Sequence, residues 1–354
     1  MARKTISYRD AGVDITANDE MVDRIRTAVH GTYGPRVLPS HGGFAGLFRL
    51  DYDEKLFERN YRRPVLVACT DGVGSKVLVA AQAGRLDTVG IDLVAMSVND
   101  LLTVGAEPLL FLDYVALHKL EPAKVAEIVE GVARGCRMAG CALLGGETAE
   151  MPDVYAPTHF DLAGFAVGVA ERSRLMDPRR VQPGDVLLGL ASDGIHSNGY
   201  ALARRLFFEV ARHKLDDHVE ALGETLVEAL LRPTRIYVRP VLAALRHYRR
   251  KRVVTSMAHI TGGGLEGNVP RMLPANCDAV VRRGSWTIPP VFEYMQSLGV
   301  EEEEMYRVFN MGIGYVLAVR RAFAKSITRR LEKLGERVFS IGVVRRGSGQ
   351  FRWA

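Results

Sequence analysis

An apolar run, Cys141-Ala-Leu-Leu144, stops at the pair Gly145-Gly146 and gives way at once to Glu147-Thr148-Ala-Glu150. Four apolar residues closed off by glycine read as a short buried strand. The carboxylates and hydroxyl that follow are then delivered from the end of that strand into a cleft. Adjacent glycines permit a sharp turn or a close backbone approach to a ligand, at a conformational cost that an ordinary surface turn does not need. The arrangement recurs along the chain. Val65-Leu-Val-Ala-Cys-Thr70 breaks into Asp71-Gly-Val-Gly-Ser-Lys76, and the run 185–191 breaks into Ser192-Asp-Gly-Ile-His196-Ser-Asn-Gly-Tyr200. Strand ends that carry polar, glycine-flanked turns constrain the fold to one built on sheets, with the chemistry at their rims.

Helical periodicity fills the intervals. Met21, Val22, Ile25 and Val29 predict a helix over 18–30, capped by Thr16 or Asn18. Ile91, Val94, Ala95, Val98, Leu101 and Leu102 give an apolar face to 88–104, and Pro122 opens a helix whose stripe is Val125, Ile128, Val129 and Val132. Strands are predicted at 109–117, 141–145 and 161–170, and then at 185–191, 253–256, 278–282, 313–319 and 338–344. Helices follow at 76–83, 200–210, 222–231, 234–248, 290–298 and 322–334. Strands and helices mix without a regular βαβ period, which favours an α+β class over a doubly wound sheet. A polar, turn-rich stretch over 171–184 divides the 354 residues into domains 1–172 and 173–354.

Composition removes several classes of function. No apolar run is long enough to span a bilayer, and the N-terminal residues lack the pattern of a signal peptide, so a cytoplasmic protein with no membrane partner is expected. Cys69, Cys136, Cys141 and Cys277 form no C-x-x-C pair and have no histidine at zinc spacing. The net charge of +6 is spread over scattered arginines, without a zinc finger, an RNP-like motif or a continuous basic helix. Nucleic acid is therefore not an expected partner, whereas phosphorylated small molecules suit the same field.

The turn residues suggest phosphate chemistry. Asp71, Asp100 and Glu147 offer the oxygen ligands Mg²⁺ prefers, Lys76 is a point charge suited to phosphate, and glycine turns expose backbone N–H groups. Each also has a plain structural reading. Asp71-Gly is an ordinary turn, and Ser197 or Asn198 serves equally as a helix cap. Lys76 lies outside any P-loop spacing, and Gly42-Gly-Phe-Ala-Gly46 does not match the dinucleotide fingerprint.

The motifs acquire specificity from their order. Ser7-Tyr-Arg-Asp-Ala-Gly-Val-Asp-Ile15, Gly42-Gly-Phe44, Thr70-Asp-Gly-Val-Gly-Ser-Lys76, Val98-Asn-Asp-Leu101, Gly145-Gly-Glu-Thr-Ala-Glu-Met-Pro152, His196-Ser-Asn-Gly-Tyr200, Pro233-Thr-Arg-Ile-Tyr237 and Ala258-His-Ile-Thr-Gly-Gly-Gly264 follow one another through nearly the whole chain. In this the chain resembles the phosphoribosylformylglycinamidine cyclo-ligases, or AIR synthetases, of purine biosynthesis. The resemblance implies a two-domain subunit: a mixed-sheet N-terminal domain that binds ATP and forms a homodimer, and a C-terminal α/β-sandwich domain. It implies conversion of formylglycinamidine ribonucleotide and ATP, with Mg²⁺, to aminoimidazole ribonucleotide, ADP and phosphate. ATP phosphorylates the formamide oxygen, and the amidine nitrogen then attacks that carbon.

Carried onto this sequence, the family's roles put Asp71, Asp100 and Glu147 at the metal. The nucleotide falls to Gly42, Gly43, Phe44, Asp71, Gly72, Gly74, Lys76, Glu147 and Thr148, with Gly42-Gly-Phe44 as a flap. His196, Ser197, Asn198 and Gly199 take the ribonucleotide, and His196, Lys76 and Asp100 become the catalytic candidates, His196 as general acid or base. Ala45 and Gly267 depart from the family's usual residues, and 51–63 is longer and more charged. Selenophosphate synthetase and thiamine-monophosphate kinase share the architecture and the use of ATP. The first normally carries a reactive cysteine in an N-terminal glycine-rich segment, whereas the first cysteine here is Cys69, inside a strand.

Overall fold

A computed structural model describes residues 15–38, 46–50, 61–248 and 250–354, without the side chains of Ile15, Thr16 and Asn18. The flap residues Gly42, Gly43 and Phe44, the Ser7 motif up to Asp14 and the two expected helix caps therefore lie outside what is described.

Helix α1 (Ile15–His30) precedes β1 (Val37–Leu38), which pairs with β2 (Leu47–Phe48). Then come β3 (Pro64–Gly72), α2 (Lys76–Ala83), α3 (Val89–Thr103), β4 (Glu107–Leu117), α4 (Pro122–Ala139), β5 (Ala142–Glu150) and β6 (Phe160–Glu171). Their sheet has the order β3-β6-β4-β5, antiparallel except between β4 and β5. Parallel neighbours need a crossover, and α4 supplies it, opening on Pro122 and stopping at Gly140 in the left-handed conformation. Helix α3 is buried on almost every side. Such an all-round apolar helix sits inside a molecule rather than on it. Its contact with α4 depends on Gly90: a Cβ built there would lie 2.3 Å from the Ile128 carbonyl oxygen.

The second half contains β7 (Val186–Ala191), α5 (Tyr200–Arg204) with a π-helical continuation over 205–210, β8 (His218–Val219), β9 (Glu224–Thr225), α6 (Leu226–Leu231) and α7 (Val238–His247). It continues with β10 (Val254–His259), α8 (Gly264–Asn268), β11 (Cys277–Val281), α9 (Pro290–Ser297), α10 (Glu302–Val308), β12 (Ile313–Val319), α11 (Ala324–Lys333), β13 (Val338–Arg346) and β14 (Phe351–Trp353). The sheet order is β10-β12-β7-β13-β11-β14, with β11 and β14 parallel and the other pairs antiparallel. Helix α3 packs on β10 and α7, and α2 on α6, so a continuous apolar core joins the halves. Among the described residues no helix is long and apolar enough to cross a membrane.

Three elements differ from their sequence expectation for identifiable reasons. Glu147 to Glu150 belong to β5 rather than to a loop, because β4 runs on to Leu117 and pairs with them residue by residue. The helix expected over 234–248 starts only at Val238. The backbone N–H groups of Thr234 and Tyr237 are taken by Asp92 and Asn99 of α3 instead. Helix α6 likewise begins at Leu226, behind a capping box of Thr225 and Glu228.

Candidate active site

Three elements converge on one cleft of about 330 Å³ at the seam between the halves. Strand β3 contributes Cys69, α3 Asp100 and β10 His259; Asp71, two residues on from Cys69, lies beside this lining, within electrostatic reach of Asp100 and His259. The His259 Nδ1 lies 2.9 Å from Asp100 Oδ1, with the imidazole 2% exposed and the carboxylate 42% exposed. With Nδ1–H donated to Asp100, Nε2 carries the lone pair. That nitrogen is buried and meets no hydrogen-bond partner among the described residues. A buried polar atom left unsatisfied at a cleft wall points to a ligand or a reacting group.

The carboxylates influence each other. Burial raises the Asp71 carboxyl; the Gly72 N–H bond lowers it, Asp100 raises it again and His259 lowers it. Cys69 Sγ, 3.8 Å from Asp100 Oδ2, is pushed up to about 12 by burial and by both carboxylates, so the thiol is not a nucleophile here. The glycine turn 261–264 follows directly on β10, and Asn268, beyond it, lines the cleft. Asn268 holds the turn by donating to the carbonyls of Thr261, Gly262 and Gly264 at 3.4, 3.1 and 2.9 Å, and Arg271 lines the same space.

Lys76 corrects the expectation of a phosphate contact. Its side chain is 0% exposed, and Nζ sits 2.8 Å from Asp92 Oδ2 while donating to the carbonyls of Arg232 and His196 at 2.7 and 3.0 Å. An ammonium has three N–H donors, and all three are occupied. Asp92 Oδ1 accepts from both the N–H and the hydroxyl of Thr234 at 2.6 Å, and Thr234 in turn meets the Ser197 hydroxyl at 2.9 Å. Lys76 is thus the centre of a buried clasp that fixes the 196–199 turn against the first half.

His196 also differs from its expected role as a general acid. It adopts φ of +66° at the bend of the turn, and its Nε2 accepts weakly from the N–H groups of Asp193 and Arg235 at 3.3 and 3.5 Å. Burial, and then the nearby His259, Lys76 and Arg235, hold it well below the ordinary histidine range, so it is neutral. Room for the ring comes from Gly314, where a Cβ would lie 2.6 Å from His196 Cε1. Asn198 and Gly199 continue the turn, and Asn198 faces Gly262 of the opposing glycine turn.

Glu147 and Thr148 are not brought to Asp71. Register runs from Asp71 to Gly164, on to Asp113 and then to Gly146 beside Glu147. Three strand spacings, about 14 Å, separate the two edges. Glu147 and Thr148 instead line a separate cleft of about 330 Å³ against α1, with Tyr33 and Asp113. The Asp113 carboxyl is pushed up to about 7 by burial. Among the described residues no trio of His, Cys, Asp or Glu is arranged to hold a metal ion. The expected three-carboxylate site reduces, within one chain, to the pair Asp71 and Asp100. The sequence shows His259 within a motif without giving it a role; Asp92 acts only through tertiary contacts, and Asn268 through the turn just before it, so neither stood out.

Comparison with known proteins agrees with this architecture. Residues 60–170 match the family described as AIR synthase related protein, N-terminal domain, and residues 182–353 match the corresponding C-terminal domain. A phosphoribosylformylglycinamidine cyclo-ligase of Citrifermentans bemidjiense is 51% identical over 345 residues, covering 97% of this chain and 96% of the relative. The chain belongs to the phosphoribosylformylglycinamidine cyclo-ligase family. Another member, from Cupriavidus pinatubonensis, is 51% identical over 347 residues, with 98% and 95% covered. Solved structures extend the likeness at the level of fold. Thiamine-monophosphate kinase from Stenotrophomonas maltophilia superposes with a TM-score of 0.67 at 19% identity, covering 94% of this chain and 95% of its own. The hydrogenase maturation protein HypE in complex with ATP superposes at 0.63 and 15% identity, covering 99% and 92%.

Proposed function

We propose that this cyclo-ligase closes the imidazole ring of formylglycinamidine ribonucleotide, with ATP, in the cleft where Asp71, Asp100 and His259 meet. The observation that carries the reading is the Asp100–His259 pair, which leaves a buried, unsatisfied imidazole nitrogen at the wall of an open cleft. Ring closure needs an oxygen turned into a leaving group and a nitrogen that sheds a proton as it attacks. Transfer of the γ-phosphoryl group of ATP to the formamide oxygen meets the first need. The amidine nitrogen then bonds to that carbon, the C–O bond breaks with departure of phosphate, and the nitrogen's proton passes to His259 Nε2. Asp100 keeps the imidazole in the accepting tautomer and stabilises the imidazolium that forms.

The pair Asp71 and Asp100 fits Mg²⁺, which binds through one or two carboxylates together with nucleotide phosphates. Burial first, and Asp100 to a lesser degree, disfavour charge on the Asp71 carboxyl, and a cation relieves this. When bound, Mg²⁺ neutralises charge on the transferring phosphoryl group. Gly72 and Gly74 present backbone beside Asp71 for those phosphates, while His196, Ser197, Asn198 and Gly199 form the ribonucleotide wall. Lys76 is assigned to positioning that wall. The exposed apolar face of the first sheet supports a homodimer, and a cytoplasmic setting suits ATP-dependent work on a ribonucleotide.

Purified protein given Mg·ATP and the ribonucleotide should form aminoimidazole product and ADP in step. His259→Gln should lower turnover by about 10²- to 10⁴-fold, the range of general acid–base catalysis, while Mg·ATP still raises the melting temperature. Undiminished turnover in the variant would remove His259 from the chemistry. ADP without imidazole from the wild type would remove the ring closure itself.

A further inference from the structure

Five residues before His259, where β10 begins, the halves part around another cavity, of about 300 Å³. Its inner wall is apolar, with Leu175, Met176, Leu242 and Leu245, and its rim is basic. No residue assigned above to ATP, Mg²⁺ or the ribonucleotide lines it. Six cationic side chains face this space (Arg174, Arg180, Arg246, Arg250, Lys251 and Arg252) against one carboxylate, Glu171.

The nearby carboxylates are already engaged, Glu107 with one of the six cations themselves, Arg246. Glu171 accepts from the backbone N–H groups of Arg62 and Arg63 at 2.7 and 3.1 Å, and Glu107 is paired with Arg246 at 2.8 Å. Asp177, the carboxylate that acts on Arg252, is gripped by both arms of Arg179. Neither Arg180 nor Arg252 reaches a carboxylate among the described residues, whereas Arg320 does, on Asp185. Arg252 instead feels Arg180 and Arg174 as like charges, on top of its own partial burial. Guanidinium groups do not deprotonate in proteins, so the repulsion persists unless an anion enters.

We propose that this cavity binds a small phosphorylated ligand with an apolar or aromatic body, of about the size of a nucleoside monophosphate. Arg180 and Arg252 take the phosphate oxygens in the fork geometry that suits guanidinium, and the leucine–methionine wall takes the body. Because Glu171 and Gly105 come from one half and Val254 and Thr255 from the other, the ligand bridges the seam. Strand β10 then runs from this site directly to His259.

The test is calorimetric titration of AMP into the full chain already saturated with Mg·ADP, comparing wild type with the double variant Arg180→Ala/Arg252→Ala. Wild type should bind one AMP per chain with Kd below about 1 mM. The double variant should bind at least about tenfold more weakly while keeping its circular dichroism and its melting temperature, which certify its fold. Rising salt should weaken the wild-type binding, as for any charge-led contact. No binding by wild type, or equal binding by both proteins, overturns the proposal. Inorganic phosphate binding as tightly as AMP overturns the role given to the apolar wall. None of these readings depends on ring closure, whose own failure shows separately in the product assay.

Discussion

His196 and Asp113 are both buried, yet one is a base and the other an acid, so they tie stability to pH with opposite signs. His196 is held well below its ordinary value near 6.5. Below that pH the unfolded chain takes up a proton that the folded chain refuses, and stability falls as pH drops, by about 1.4 kcal/mol per unit. His196→Asn, which tolerates the positive φ, removes this dependence. Urea denaturation should therefore show the wild type losing about 1 kcal/mol relative to the variant between pH 7.5 and 5.5. A constant difference across that range would mean that His196 protonates in the folded state. Asp113, pushed up to about 7, keeps its proton in the folded chain while the unfolded carboxyl ionises near 4. Stability is then lost as pH rises from about 4 to 7 and levels above that. Asp113→Asn should gain on the wild type from pH 5 to pH 8, and a gap that stays flat would count against the shift. Neither behaviour was legible in the sequence: Asp113 differs from its strand neighbours only by which face the sheet buries, and His196 is buried because distant residues such as Arg235 and Gly314 close on its turn.

At the scale of elements, two helical glycines separate clearly by their surroundings. Gly90 has backbone of α4 within 2.3 Å of where its Cβ would be, and Gly267, inside α8, has nothing within 4 Å. Gly90→Ala forces α3 off α4 and should cost about 3 kcal/mol or prevent folding. Gly267→Ala should instead stabilise by about 0.5 to 1 kcal/mol, the helix propensity it regains. Denaturation midpoints check both, and equal effects would refute the packing account. Helices α3 and α4 and strands β3, β4 and β6 were legible because their apolar spacing is regular over many residues. Helix α10 was not, since Glu301 to Glu304 open it with four charges before Met305 and Tyr306 turn inward. Strand β14 escaped notice for a related reason: three residues suffice when a parallel neighbour, β11, supplies the pairing.

Over the whole molecule, motif order identified the family while strand order decided the site. The sequence places Glu147 among the metal ligands by its carboxylate at a strand end and by resemblance to the family. The crossover through α4 sets β5 outside β4, and β6 then returns between β4 and β3, so Glu147 ends at the far edge from Asp71. Among the described residues, helices α2, α3 and α4 pack on one face of this sheet. On the other, Leu66 is 59%, Phe165 44% and Leu112 37% exposed, and Phe165 lies directly opposite Leu112 in register. Phe165 and Leu112, neighbours across strands, form with Leu66 further along β3 an apolar surface that a monomer rarely leaves in water. A mixed sheet with apolar residues on both faces needs a cover on each. The same face of a second copy would provide one by twofold symmetry, self-complementary as such contacts must be. Light scattering on the eluting wild type should therefore give twice the 39.0 kDa chain mass. Leu112→Glu with Phe165→Glu puts four carboxylates into that contact, two from each copy, and should return the protein to 39.0 kDa with its circular dichroism unchanged. A wild type that elutes as a monomer at micromolar concentration, or a double variant that remains a dimer, would move the contact to another surface.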